Sequence, residues 1–146
     1  MRRSLAAAMV LIALAVVACE GDGGTSPTPV PRPAQIAGPW LGTWSSNTTL
    51  GDVRVDLTQD GSKVTGTWVE TTAVSHSNGD IDGTVDQSSF AGTITYRFPN
   101  GPTCSGTFSG PAGSSSLRWT SPAGFTTGDC GLLGGNPVNV VFDVHR

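Results

Sequence analysis

One five-residue pattern, apolar residue, any residue, Gly, Thr, apolar residue, occurs five times in this chain, and it limits the fold more than any other feature. The copies are Trp40-Leu41-Gly42-Thr43-Trp44, Val64-Thr65-Gly66-Thr67-Trp68, Ile81-Asp82-Gly83-Thr84-Val85, Phe90-Ala91-Gly92-Thr93-Ile94 and Cys104-Ser105-Gly106-Thr107-Phe108. In an extended chain alternate side chains share a face, so the two apolar residues and the Gly between them point one way and the Thr points the other. A Gly between two bulky inward residues removes volume where neighbouring strands crowd and lets the strand coil, which is how a sheet closes on itself.

The rest of the domain fits the same scheme, with no ten-residue stretch of helical period. Strands are expected at about Pro39–Ser46, Asp52–Gln59, Ser62–Thr71, Gly79–Asp86, Ser89–Phe98, Thr103–Ser109, Ser114–Thr120 and Pro137–His145. The second alternates cleanly, with Val53, Val55 and Leu57 on one side and Asp52, Arg54, Asp56 and Thr58 on the other; Asp60-Gly61 then reads as a tight hairpin turn. Ser121 to Asn136 is the longest connection, of a length that is usually functional or specially pinned. Eight short strands, each with one apolar face, predict an all-β fold: an eight-stranded antiparallel up-and-down barrel with the last strand closing on the first. A two-sheet β-sandwich is the alternative, and the repeated inward Gly favours the barrel.

Three segments follow from composition: 1–18, 19–37 and 38–146. Residues Met1 to Ala18 open with Arg2 and Arg3 and continue in an uncharged Ala/Leu/Val-rich run too short for a stable transmembrane helix, which reads as a secretion signal. Its end, Val16-Val17-Ala18-Cys19, resembles the lipobox of bacterial lipoproteins. That resemblance implies cleavage before Cys19 and acylation of its thiol and new N-terminus; an ordinary signal peptide cut after Ala18 is the plainer reading. Two or more acyl chains hold a protein durably to a membrane. Glu20 is not the Asp that favours inner-membrane retention in enteric members of the family, so the resemblance points to the outer membrane. Residues 20–37 are rich in Gly, Ser and Pro and offer almost nothing to bury, a tether reaching roughly 40 to 50 Å.

Removing Arg2 and Arg3 leaves six basic residues against eleven acidic ones, shifting the formal charge from −3 to −5. Nucleic acid and anionic lipid surfaces are disfavoured as partners. With Cys19 assigned to lipid, Cys104 and Cys130 remain on the oxidising side of the membrane and are expected to form a disulfide, contributing about 3 to 4 kcal/mol in the chain-entropy description; free buried thiols are the alternative. Neither His76 nor His145 has zinc-ligand spacing to a cysteine. Asn78, Asp80, Asp82 and Gly83 imitate half of an EF-hand loop, but Ser89 stands where the bidentate Glu belongs, and strand alternation accounts for these acids as a solvated face. No Ser lies in a nucleophile-elbow setting and the paired carboxylates fall on wet faces, so no enzyme and no cofactor are expected.

The two Gly-Thr-Trp motifs of the first and third strands resemble the opening of the avidin family and, more loosely, of lipocalin-like barrels, over about thirty residues. In avidins a polar residue and a Ser two positions after each motif aromatic help to hold biotin; here these positions are Ser46 and Glu70, and Glu70 would bring a charge to the ureido group. The resemblance therefore implies the architecture rather than the ligand. The expected function is a monomeric, lipid-anchored envelope protein with a non-enzymatic lipocalin-like barrel that binds either a small apolar ligand or nothing inside it; Trp40, Trp44, Trp68, Tyr96 and Trp119 are the candidate lining residues, with core packing as their plainer reading. The alternative is an interaction or inhibitor protein, resembling the small-barrel inhibitors of secreted metalloproteases, with a packed interior and working loops that contact an envelope protein.

Overall fold

The computed structural model describes residues 29–46, 50–72, 76–99, 103–121 and 139–146. Eight strands run in order: β1 (Gly38–Ser45), β2 (Leu50–Asp60), β3 (Lys63–Glu70), β4 (Asn78–Val85), β5 (Ser89–Arg97), β6 (Thr103–Pro111), β7 (Ser116–Ser121) and β8 (Val140–His145). Each pairs antiparallel with the next, and β8 returns to β1 through Gly42↔Val144 and Trp44↔Phe142. The result is a closed up-and-down barrel and not a sandwich. The apolar alternation of the strands makes this the stable solution: inward residues such as Trp40, Val55, Val64, Ile81, Phe90, Leu117 and Val144 are buried, and closure gives each of the eight described strands a neighbour on both sides.

The motif glycines act at the walls. A Cβ on Gly42 would strike the Asp143 carbonyl oxygen and Val144 Cα of β8, and one on Gly66 would strike the Asp56 carbonyl oxygen and lie 2.7 Å from Leu57 Cδ2. Gly83 and Gly92 face each other across β4 and β5. The missing side chains thus allow adjacent backbones to approach closely where the wall coils, as the repeat predicted.

Two features of the ladder were not foreseeable. Between Asn78↔Arg97 and Ile81↔Ile94 the β4–β5 pairing lapses at Gly79 and Asp80. There the Trp68 indole reaches across β4, passing where a Gly79 side chain would be, and its Nε1–H donates to the Thr95 carbonyl oxygen (3.0 Å). The β6–β7 seam carries the pair Ser109↔Thr120 and the bridge Ala112↔Leu117, supplemented by Ser121 Oγ donating to the Thr107 carbonyl (2.6 Å).

The connections β2–β3, β4–β5 and β6–β7, of two to four residues, all fall at one end, the tight end, and those at 46–49, 71–77, 98–102 and 122–139, of four residues or more, join the strands at the other, the long-loop end. The tight end is plugged by residues assigned on composition to the tether. Ile36 is fully buried; its N–H donates to Gln59 Oε1 (2.8 Å), and Gln59 Nε2 donates to the Ala34 carbonyl (2.9 Å). Ala34 N–H donates to the Asp86 carbonyl (2.7 Å). The last residue locks this plug, since Arg146 donates to the carbonyls of Ala37 (2.8 Å), Gln35 (2.9 Å) and Ser114 (2.7 Å), with its guanidinium 4.3 Å above the Trp40 ring. The expectation that residues up to 37 bury almost nothing therefore fails at Ile36. A lone aliphatic residue among Pro, Gln and Ala carries no periodic signal, and only the barrel end gives it a pocket.

Candidate functional site

Aromatic side chains fill the barrel in two connected groups. Toward the tight end, Phe90, Phe108 and Trp119 meet edge to face or tilted, with centroids 4.8 to 5.9 Å apart, and Trp119 stacks on Phe142 at 5.0 Å and 11°. Toward the long-loop end, Tyr96 lies 4.3 Å from Trp68, 4.8 Å from Phe98 and 5.7 Å from Trp44. Phe142 joins the groups through Trp68 (5.4 Å). Such offset contacts add about 0.5–1.5 kcal/mol each beyond area burial.

Of the five tryptophan and tyrosine residues expected to line a ligand, the fold brings Trp44, Trp68 and Tyr96 together. Trp40 is sealed beneath Arg146, its Nε1–H spent on the Ile36 carbonyl (2.8 Å), and Trp119 belongs to the packed lower group. Trp40 is core in place and bonding, and Trp119 is core in its packing.

The long-loop end differs from the rest of the interior in being polar. Glu70 ends β3 on the inward side, following Val64, Gly66 and Trp68 in alternation, and it is only 4% exposed. It is the one buried charged residue among the described residues. Thr72 Oγ1 donates to its Oε1 (2.7 Å), and its backbone N–H donates to the Ser77 carbonyl (2.8 Å), which folds buried Ser77 back over the end of β3. The Tyr96 hydroxyl has its acidity strongly suppressed, first by burial and then by the negative charge of Glu70, against which a hydrogen bond with the Ser77 side chain acts.

Trp44 completes the group. It pairs with Gly51 across β1 and β2, and its ring lies over that bare backbone. The point where a Gly51 Cβ would stand is 2.5 Å from Trp44 Nε1, 2.6 Å from Glu70 Oε1 and 3.2 Å from Thr72 Oγ1. An indole donor and a carboxylate acceptor thus both crowd the bare backbone of Gly51. Trp44 Nε1 is buried and has no hydrogen-bond partner among the described residues, a condition shared with Trp119 Nε1 in the apolar half. A buried unmade donor costs about 1–3 kcal/mol.

Alternation alone marks Glu70 as inward. Gly51, Thr72 and Ser77 carry no motif and were missed; they matter because the strand ends converge there. Ser46, the other position marked by the avidin-like motif, is half-buried just beyond β1. Cys104 is buried on β6 opposite Tyr96, whereas Cys130 and the lipobox with Cys19 lie outside the described residues, as does most of the Ser121–Asn136 connection.

The remaining candidates stand on the outer surface. Asn78, Asp80 and Asp82 are exposed, with Asp80 ion-paired to Arg97; His76 and His145 are exposed too. No group of three or more His, Cys, Asp or Glu that could hold a metal occurs among the described residues. Comparison of the chain with protein-family models, curated proteins and solved structures returns no match.

Proposed function

We propose that this chain is a lipid-anchored protein of the bacterial cell envelope, held through acylated Cys19 in the outer membrane, and that its lipocalin-like barrel is a non-enzymatic binding module. A small, largely apolar ligand is taken at the long-loop end, against Trp44, Trp68 and Tyr96. The observation that carries this reading is the contrast between a sealed tight end and a long-loop end where a buried carboxylate and an unpartnered indole N–H face the same spot. A buried donor left unmatched breaks the rule that protein interiors follow, and such breaks are expected at functional or strained sites. The Cys104–Cys130 disulfide belongs to the same reading, supported by a Cys104 side chain that is buried on β6.

Two experiments test it. Replacing Cys19 by Ser moves the protein from the membrane to the soluble fraction; unchanged membrane retention defeats the anchor. Quenching of tryptophan emission by a panel of small aromatic compounds, fatty acids and haem tests the binding module, and the absence of saturable quenching counts against it. The second reading, an interaction or inhibitor protein working through its loops, is favoured by the stacked, fully buried lower aromatic group. It predicts that a protein partner is lost when the 122–138 connection is shortened, with no small-molecule binding.

A further inference from the structure

We propose that the anchored protein stands with its tight end toward the membrane and its long-loop end toward the aqueous compartment. This rests on the lipid-anchor reading above and adds to it which pole of the barrel the bilayer faces.

With eight strands running up and down, both ends of the barrel chain fall at one pole. β1 begins at the tight end with Gly38, and Arg146 follows the end of β8 at the same pole. The segment leading into β1 is fastened there as well. Ile36 is fully buried and held by Gln59, Ala34 N–H donates to the Asp86 carbonyl beside the β4–β5 turn, and Arg146 donates to the carbonyls of Gln35 and Ala37. Ahead of this plug Val30 is 84% exposed, so the chain has left the barrel surface by that point. Pro29, Pro31 and Pro33 alternate through the stretch. Each fixes its own backbone angle and keeps the residue before it extended, which resists the sharp reversal needed to run back along the wall.

Length decides between the two orientations. Fourteen residues, 20–33, separate Cys19 from Ala34, a reach of about 50 Å at full extension. Turning the long-loop end to the bilayer would send this tether back along the wall, where an eight-residue strand such as β1 rises roughly 25 Å. That path uses up about half of the reach. With the tight end toward the lipid none of it is used, and the tether keeps more of its configurations. Trp44, Trp68 and Tyr96, together with the connections at 46–49, 71–77, 98–102 and 122–139, then lie at the pole farther from the bilayer, where the binding module meets molecules dissolved in the aqueous phase.

Energy transfer to the bilayer surface tests the orientation. Lys63 is the only lysine of the chain; it is exposed and stands beside the β2–β3 turn at the tight end. With the N-terminus acylated it carries the one free amine. The full-length acylated protein, labelled at Lys63 with an amine-reactive donor dye, is bound to phosphatidylcholine vesicles that carry a headgroup-labelled acceptor lipid. In a second form, Lys63→Arg with Thr103→Lys moves the amine to an exposed position at the long-loop end, and Asn78→Lys, exposed at the same end, provides another such site should the first variant not fold. Transfer from position 63 should exceed that from position 103 or 78 about twofold or more, given the strand length between them. Equal transfer, or stronger transfer from the long-loop end, overturns the orientation and leaves the anchor standing. Loss of the protein from the vesicles, with transfer from neither end, overturns the anchor and the orientation together.

Discussion

The two ends of this barrel are built from the same strands and solve opposite problems. At the tight end the polar groups around the plug are matched: Trp40 Nε1 bonds Ile36, Gln59 holds both Ala34 and Ile36, and Arg146 spends its guanidinium on three carbonyls while covering Trp40. At the long-loop end a carboxylate is buried and the Trp44 indole N–H goes unmatched among the described residues. Trp40 and Trp44 sit four residues apart on one strand and face the same interior, yet one is fixed structure and the other is available chemistry. The difference shows that in a closed barrel inward position alone does not identify core: satisfied hydrogen bonds mark Trp40 as structure, and close ring stacking on Phe142 does so for Trp119, whose Nε1 is as unmatched as that of Trp44.

The largest expected effect is at the sealed end. Trp40→Ala should cost about 3–5 kcal/mol in urea unfolding, since it removes a fully buried ring and the ceiling on which Arg146 rests. A loss below about 1 kcal/mol would mean that the plug is dispensable. Gly66→Val comes next, at about 1–3 kcal/mol, because its side chain would strike the β2 backbone at Asp56 and the Leu57 side chain. A neutral result would undo the role given to the glycine repeat.

A paired substitution sharpens the contrast. Trp40→Phe strands the buried Ile36 carbonyl and should cost about 1–2 kcal/mol more than Trp44→Phe, whose indole N–H has no bond to lose. Equal losses would erase the distinction drawn between the ends. The smallest effect is at the β4–β5 turn, where Asp86 accepts hydrogen bonds from Ser88 N–H (2.8 Å), Ser89 N–H (2.7 Å) and Ser89 Oγ (2.8 Å), which hold its carboxyl below the ordinary range. A depressed folded-state pKa contributes stability above the unfolded-state value and loses it as pH falls through the folded one. The thermal midpoint of Asp86→Ala should therefore lie below that of the parent at neutral pH and converge with it in acid; a gap independent of pH would refute the charge-assisted turn.

Much of this fold is legible in the sequence because a period of two is a strong signal when eight segments carry it. Val53, Val55 and Leu57, or Phe90, Ile94 and Tyr96, announce their face without help, and the closed sheet follows from the glycines between them. What escaped notice is non-local. Ile36 has no periodic neighbours and is buried only because the barrel end lies beside it, and Arg146 docks onto residues more than a hundred positions earlier in the chain. The site is legible to the same degree. Trp44, Trp68, Tyr96 and inward Glu70 can be read from alternation, but the meeting of Glu70, Thr72 and Ser77 with Gly51 depends on strand register and on how connections fold back, which no local pattern encodes.

The central claim is that Glu70 is buried for function and not for the barrel, and stability of Glu70→Met tests it most directly. An apolar side chain of similar size continues the inward row of Val64 and Trp68 and removes a desolvated charge, which offsets the hydrogen bond lost from Thr72, so the urea midpoint should stay close to that of the parent. A loss of about 2 kcal/mol or more, as large as that from a tight-end substitution, would contradict the account and make Glu70 part of the structure itself.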